Sequence, residues 1–376
     1  MTVETHPTRP PRPPGRRRRS TEDGRRTLTA GHALVIAVLA LVFACLLNAP
    51  GMHKRAFNQP EGWQRDVALA VTAPLADVSH ALLLDRPRKA LQSVLGREDE
   101  DRIDTAVVFT PAPPITSTTP TPTPSTGHQS PAQPKPTPKP EPKVAFSPSK
   151  PLRIWIAGDS LVITPGWAIV RAAGKARAIR TVPVGDGPDG RVATGLERPD
   201  VFNWFTYIRQ QVRKLKPKAI ILEFGGNDDH SYMTGLPKGV SIGSFGSPSW
   251  KAEYRRRVGG LLDIAAREGA FVVWIGLPIT RSPAQTQRFD IINSIVESET
   301  RKRPGRAAYV DTYSRFASDD GGFAQYLDDS SGKQALVRAP DGVHFEPAGG
   351  DIIARMVLQS LNRQFDLTSW RTRPNG

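Results

Sequence analysis

The chain has 376 residues, 36 of them proline, a single cysteine and a formal net charge of +15. One cysteine excludes an intramolecular disulfide framework and any metal site built from several cysteines. The charge at first suggests nucleic acid, but eight arginines lie before residue 27, and no zinc-ligand spacing, RNA-binding signature or basic helix with heptads accompanies them. We therefore expect no nucleic-acid partner, because basic residues beside a membrane or an anionic envelope polymer explain the charge as well.

The N-terminal region has the composition of a membrane anchor. Residues 1–27 form a basic tail, and residues 28–49 form an uncharged, mostly apolar run. At about 1.5 Å per residue, a helix of this length spans the ~30 Å hydrocarbon core. Arginines are concentrated before the run, so the positive-inside rule predicts a cytoplasmic N-terminus and an extracytoplasmic remainder. A cleaved signal peptide is the rival interpretation, although the run is longer than a usual signal core and lacks a clean small-x-small cleavage site.

Two further regions precede the folded domain. Residues 50–109 carry apolar side chains at mixed helical spacing, which predicts short amphipathic juxtamembrane helices with breaks at Pro74 and Pro87. Residues 110–150 are rich in proline and threonine, a composition that favours extended polyproline II and buries little apolar surface. We interpret this stretch as a linker that lets the following domain, residues 151–376, stand off the membrane.

From residue 151 onward, short apolar runs alternate with helical stretches. This alternation predicts an α/β fold in which a parallel sheet is covered by helices on both faces. The predicted strands are 152–157, 178–184, 219–224, 271–275 and 307–310, and the predicted helices are 166–173, 202–215, 249–268, 285–299 and 347–365. Trp155 and Trp274 fall inside strands and are expected in the core, whereas Arg255, Arg256 and Arg257 are expected on a solvated helix face.

Three motifs lie where this sheet would expose functional groups, at the carboxyl ends of its strands. Ser160, in Gly-Asp-Ser-Leu, follows the first strand, and Asn227, in Gly-Gly-Asn-Asp, follows the third. An amide at a strand end can donate to a developing oxyanion. Asp341 and His344 share a loop before the last helix, and their spacing lets the aspartate accept from one imidazole nitrogen while the other faces the serine. Together these are the parts that acyl transfer needs.

Each motif alone has an ordinary structural explanation. Gly-Asp-Ser can be a helix cap, Asn-Asp can be a turn, and Asp-x-x-His can be a surface loop. Histidine is scarce, however, and the folded domain contains only His230 and His344. We interpret His230 as a cleft or surface residue rather than the base, and Asp228 as support for its loop.

At these motifs the sequence resembles the SGNH or GDSL-type hydrolases, over roughly residues 150–365. The resemblance implies a three-layer α/β/α sandwich with a five-stranded, flavodoxin-like parallel sheet. It also implies that Ser160 is the nucleophile, that His344 is the general base and that Asp341 orients the histidine. The Thr-Gly-Leu-x-Arg-Pro-Asp run looks like that of a bacterial subgroup with a membrane-anchored N-terminal part.

The same resemblance implies an oxyanion hole and a class of reaction. Its donors would be the Ser160 backbone N–H, the Asn227 amide and a glycine N–H, for which both Gly190 and Gly195 remain candidates. No metal and no cofactor is implied. The expected function is an extracytoplasmic serine esterase that hydrolyses small, acetyl-like esters on cell-envelope glycan or lipid, anchored in the bacterial cell membrane. An O-acyltransferase using the same site and an inactive envelope-binding scaffold remain the alternatives.

Overall fold

A computed structural model describes residues 29–59, 63–95, 101–108, 143–183, 185–329 and 331–371. The predicted basic tail and most of the predicted linker lie outside these residues. The chain divides into two compact units, Met1–Glu98 and Asp99–Gly376.

The first unit is helical. Its helices are α1 (Ala30–Leu47), α2 (Ala49–Phe57), α3 (Trp63–Ala81) and α4 (Arg86–Val94). Among the described residues, α1 alone is long and apolar enough to cross a membrane as a single helix, either as an anchor or as a signal sequence. The pair α3 and α4 meets the same test only as a broken span, bent by 86°.

The predicted helix break at Pro74 is wrong, because α3 continues through this residue. A proline inside a helix removes one backbone hydrogen bond. Since α3 packs along α2, tertiary contacts hold the helix together across that gap. Pro87 lies in the first turn of α4, where the missing N–H has no helical partner in any case.

The second unit is an α/β/α sandwich. The strands of its main sheet are β1 (Leu152–Gly158), β2 (Ile179–Thr181), β3 (Asp189–Gly190), β4 (Ala219–Glu223), β5 (Phe271–Ile275) and β6 (Ala307–Val310). The order is β2-β1-β4-β5-β6, every pair is parallel, and the two-residue β3 joins β1 beyond the end of β2. The predicted parallel α/β/α fold is confirmed, and β3 is a short addition to its five strands.

Helices cover both faces of the sheet. They are α5 (Ile163–Ala176), α6 (Trp204–Leu215), α7 (Pro248–Arg267), α8 (Pro283–Arg301) and α10 (Pro347–Gln364), with the short α9 (Thr312–Arg315) between the last two. Successive strand residues point to opposite faces, so Ile220 and Leu222 pack with α6, α7 and α8, while Ile221 packs with α5 and α10. Trp155 and Trp274 are buried in the first of these layers, as predicted.

Some elements were not predicted from the sequence. They are β3, α9 and an antiparallel hairpin of β7 (Tyr326–Asp328) and β8 (Gln334–Leu336). Segments of two to four residues are too short to display a periodicity.

The expectation of a solvated Arg257 is also wrong. This side chain is fully buried. Its guanidinium pairs with Glu253 and donates to the carbonyls of Leu196, Glu197 and Thr234. A run of arginines on a helix does not indicate which of them will be buried beside carbonyls and carboxylates of other elements.

Two segments that we assigned to the juxtamembrane region and to the linker belong to the second unit. The amide of Asn203 donates to the carbonyls of Asp104 and Ala106, at 3.0 Å each, and Val107 packs on the core. Residues 143–150 approach the opposite end of the unit, where the N–H of Phe146 donates to the carbonyl of Asp366. The compact unit therefore begins well before residue 151.

Candidate active site

The serine of the first motif lies on a tight turn at the carboxyl end of β1. The strand ends at Gly158, and residues Ser160–Val162 form a 3₁₀ turn that leads into α5. A Cβ at Gly158 would collide with the carbonyl of Glu223 on the neighbouring strand, so the close approach of β1 and β4 requires glycine. The turn leaves Ser160 partly exposed at the edge of the sheet.

Asp159 fixes this turn against the loop that follows β4. One of its carboxylate oxygens accepts from the N–H of Leu161 at 2.9 Å, and the other accepts from Gly225 at 3.1 Å and Gly226 at 2.9 Å. Burial raises the pKa of Asp159 to about 7, although these backbone N–H groups oppose the shift. Asp159 is a functional residue that the sequence motifs did not predict. The signal for it was an acidic residue directly before the serine, at the position of a helix cap.

The Asp341–His344 loop brings its imidazole onto the serine. His344 Nε2 lies 2.9 Å from Ser160 Oγ, and His344 Nδ1 lies 2.6 Å from Asp341 Oδ2. Asp341 Oδ1 also accepts from the backbone N–H groups of Val343 and His344. Gly342 allows the loop to close, since its φ of +75° is in the region that favours glycine.

This hydrogen-bond chain determines the tautomer of the neutral imidazole. Burial tends to raise the pKa of Asp341, but the hydrogen bonds from Val343 and His344 lower it to about 2. Asp341 is therefore a carboxylate, which only accepts hydrogen bonds, so Nδ1 of His344 carries the proton. Nε2 is then free to accept the proton of Ser160 Oγ, the geometry of a nucleophile beside its base.

The Gly-Gly-Asn-Asp motif, which contains Asn227, lies beside this pair. The Gly225–Gly226 backbone that binds Asp159 leads directly to Asn227, whose Nδ2 donates to the carbonyl of Thr194 at 2.9 Å. This bond fixes the orientation of the amide and uses only one of its two N–H groups. Within the part of the chain that the structure describes, the second N–H has no acceptor and can donate to a ligand at the edge of the sheet.

The two candidate glycines lie in different surroundings. Gly190 belongs to β3, which pairs with the last residues of β1, and a Cβ there would collide with Ile163 just after the nucleophile turn. A Cβ at Gly195 would instead collide with the carboxylate of Asp228. Gly190 therefore lies beside the serine turn, whereas Gly195 allows a buried carboxylate to approach the backbone.

Asp228 and His230 have structural partners in the same region. Asp228 is buried and accepts from the N–H groups of Leu196 and Glu197, so it supports the loop as expected. Nδ1 of the half-exposed His230 lies 3.0 Å from a carboxylate oxygen of the buried Glu197. The structure thus pairs His230 with Glu197, not with Ser160, and this hydrogen bond raises the pKa of His230.

Among the described residues, no group of three or more His, Cys, Asp or Glu side chains could hold a metal ion.

Comparison with known proteins places the chain in a family. A family described as "Protein of unknown function (DUF459)" matches residues 153–360. The chain belongs to this family. DUF459 is SGNH-like, in agreement with the resemblance that the three motifs indicated. A search of curated proteins found no match.

Several solved structures are similar to the chain. A GDSL-like lipase from Bacteroides thetaiotaomicron shares 16% identity over 56% of this chain and 88% of its own, with a TM-score of 0.38. An α/β hydrolase enzyme from the metagenome of Lake Arreo in Spain shares 17% identity over 58% and 96%, with a TM-score of 0.39. A family 3 carbohydrate esterase from Clostridium thermocellum shares 13% identity over 57% and 98%, with a TM-score of 0.38.

Proposed function

We propose that this member of DUF459 is a serine esterase with Ser160 as nucleophile, His344 as general base and Asp341 as the orienting carboxylate. The observation that carries the proposal is the hydrogen-bond chain of 2.9 Å and 2.6 Å that joins the three side chains. These residues lie 184 and three positions apart in sequence, and only the fold brings them together. The direction of the chain, from hydroxyl to imidazole to carboxylate, is the one that serine acyl transfer uses.

The proposed reaction has two steps. In the first, Ser160 Oγ bonds to the carbonyl carbon of the ester while its proton passes to Nε2 of His344. The oxyanion accepts hydrogen bonds from the N–H groups of Ser160 and Gly190 and from the Asn227 amide. The C–O bond to the alcohol then breaks, and His344 returns the proton to the leaving oxygen. In the second step, water attacks the acyl-serine, gives a proton to His344 and releases the acid with Ser160 restored.

We assign the glycine of the oxyanion hole to Gly190. Its strand is hydrogen-bonded alongside the end of β1, with the N–H of Arg191 donating to the carbonyl of Gly158 at 2.9 Å. That pairing keeps the β3 backbone against the turn that carries Ser160. Gly195 has a different role, because the absence of a side chain there lets the carboxylate of Asp228 approach the backbone.

The natural substrate is proposed to be a small acyl ester on an envelope glycan or lipid. The support is the openness of the site together with its place in the chain. The side chains of His344 and Asp341 are 41% and 50% exposed, so an acyl group carried by a bulky polymer can reach Ser160. The α1 helix, preceded by arginines, would hold the domain at the outer face of a bacterial membrane.

Ester turnover tests this proposal directly. We expect the full chain in detergent to hydrolyse p-nitrophenyl acetate and the Ser160→Ala variant to lose this activity. Thermal unfolding of both proteins controls for folding. Equal turnover by both proteins would exclude Ser160 as the nucleophile.

The same protein also tests the transferase and scaffold alternatives. With a labelled acetyl donor and an envelope glycan, we expect the label to appear as free acetate. Label recovered on the glycan would instead indicate an O-acyltransferase. Glycan binding without any turnover would indicate a scaffold.

A further inference from the structure

Arg338 is a charged residue buried directly beneath the Asp341–His344 loop. Its side chain has no exposed surface, and its guanidinium contacts the rings of Phe345 and Phe323, with centroid distances of 4.9 and 5.3 Å. A buried cation is costly unless its N–H groups are satisfied. The acceptors of its hydrogen bonds therefore show which parts of the chain Arg338 holds in place.

Among the described residues, the four hydrogen bonds of the Arg338 side chain all go to backbone carbonyls, and three of these carbonyls belong to the histidine loop. Its guanidinium donates to Gly342 at 3.2 Å, to Val343 at 2.6 Å and to His344 at 3.3 Å. A fourth bond, of 2.6 Å, goes to Ile279, after β5. One rigid, planar group thus joins the loop that carries the base to the end of a central strand.

A buried acid faces this guanidinium from β4. Glu223, at the end of β4, is fully buried, and within the described residues neither of its carboxylate oxygens has a hydrogen-bond partner. Burial, and next the charge of Asp159, raise the pKa of Glu223 well above its usual range, against the opposing effect of Arg338. These effects favour the protonated form of Glu223 over its carboxylate.

The charges that act on Arg338 come from three directions. Asp341 attracts it from the histidine loop, Glu223 faces it from β4, and Arg281 repels it from the loop after β5. Burial lowers the pKa of Arg338 to about 10, so it is still a cation at neutral pH. Of the two acids, Asp341 of the proposed triad has the stronger attraction to this cation.

We propose that Arg338 is a positioning residue of the active site, which holds the Asp341–His344 loop by its carbonyls and supplies a buried positive charge beneath it. The inference rests on the proposed esterase function. Two consequences separate this role from a purely structural one. The forked donor fixes the distance between His344 and Ser160, which affects the rate. The charge lies beneath the loop that carries both Asp341 and His344, so its removal is expected to change the pH dependence of activity.

Turnover of p-nitrophenyl acetate by the full chain in detergent, measured against pH, tests both consequences. Arg338→Met removes the charge, so we expect the acid limb of the kcat/KM profile to move to higher pH by about 0.5 to 1 unit. Arg338→Lys keeps the charge but not the fork, so we expect the limb to stay and kcat to fall about tenfold or more. Glu223→Gln removes the acid that faces Arg338 from β4 and is expected to leave the limb in place, because burial already disfavours the charged form of Glu223.

Arg257→Met is the matched control for lost stability. Arg257 is also fully buried and also donates to backbone carbonyls, but those carbonyls belong to residues 196, 197 and 234. We expect its replacement to lower the melting temperature without moving the acid limb. The positioning role is overturned if Arg338→Met, like Arg257→Met, does not move the acid limb, or if Arg338→Lys keeps the full kcat. Either result would leave the proposed esterase function intact. A wild-type chain without turnover would overturn both proposals.

Discussion

Asn227 is the residue whose proposed contribution can be isolated most simply. Among the described residues its amide donates to Thr194 alone, so its replacement removes one oxyanion donor and leaves the nucleophile and base in place. We expect Asn227→Ala to lower kcat by about 10²- to 10³-fold with little change in KM, because the donor acts mainly on the transition state. Steady-state kinetics measure this split. A loss below about threefold would contradict the assignment.

The two candidate glycines are expected to fail in different ways. Gly190→Ala should push β3 away from the nucleophile turn and lower kcat, because an added Cβ meets Ile163 and Val162. Gly195→Ala should mainly lower the melting temperature, because its Cβ meets the buried carboxylate of Asp228. Kinetics and thermal unfolding of both variants distinguish the two roles. The opposite pattern would assign the oxyanion donor to Gly195.

Asp341 gives a prediction for pH. Its pKa in the folded chain is about 2, against an ordinary value of 3.8. A lowered acid pKa stabilises the fold above the ordinary value, and this contribution is lost as the pH falls from about 4 to 2. Asp341→Asn should therefore flatten the decline of melting temperature in that window. Because Asp341 stays ionised from pH 5 to 8, the acid limb of wild-type activity should not coincide with its titration. A variant whose melting temperature declines as steeply as that of the wild type would contradict this prediction.

At the scale of elements, the segment 101–108 is expected to stabilise the second unit. Asn203 both caps α6, by accepting from Thr206 N–H, and donates to the carbonyls of Asp104 and Ala106. Asn203→Ser keeps a cap oxygen but loses both bonds to the segment, at a cost of about 1 to 2 kcal/mol, or roughly 2 to 8 °C in melting temperature. Asn203→Ala, which also loses the cap, should cost more. A serine variant as stable as the wild type would contradict a stabilising role for the segment.

The predicted strands match the structure best where the sequence contains a continuous run of apolar residues. Residues 271–275 and 307–310 match β5 and β6 to the residue, because both strands are uninterrupted apolar runs; β5 is buried throughout and β6 is partly buried. The two residues of β3 gave no such run, since β3 exists only because its backbone pairs with the end of β1. Helix α3 continues through Pro74 although proline disfavours a helix interior, and it packs along α2.

The residues of the candidate site that lie in short sequence motifs were predictable from the sequence. Ser160, Asn227 and the Asp341–His344 pair each follow a recognisable pattern. The groups that support them do not, because Glu223, Arg257 and Arg338 are charged residues that a sequence leads one to place in solvent. Arg257 and Arg338 donate to loop carbonyls, and Glu223 is buried without a hydrogen-bond partner among the described residues. No local sequence pattern records either environment.

At the scale of the whole molecule, the proposed topology can be tested with cysteines. Cys45 in α1 is the single cysteine of the chain. In a Cys45→Ala background, we expect a membrane-impermeant maleimide to label Ser149→Cys in intact cells, because Ser149 is exposed in the second unit. Ser20→Cys, in the basic tail, should be labelled only after lysis. Labelling of both positions in intact cells would contradict a cytoplasmic N-terminus, and loss of an N-terminal tag would indicate a cleaved signal sequence.

The central claim is that His344 activates Ser160 as a nucleophile. Its most direct test is the reaction of the full chain with a fluorophosphonate, which bonds covalently to an activated serine and releases fluoride. We expect the intact mass to increase by one adduct, located by peptide mapping on Ser160, with no adduct on Ser160→Ala and a much slower reaction of His344→Ala. A chain that stays unmodified, or one that is modified equally without His344, would contradict the account.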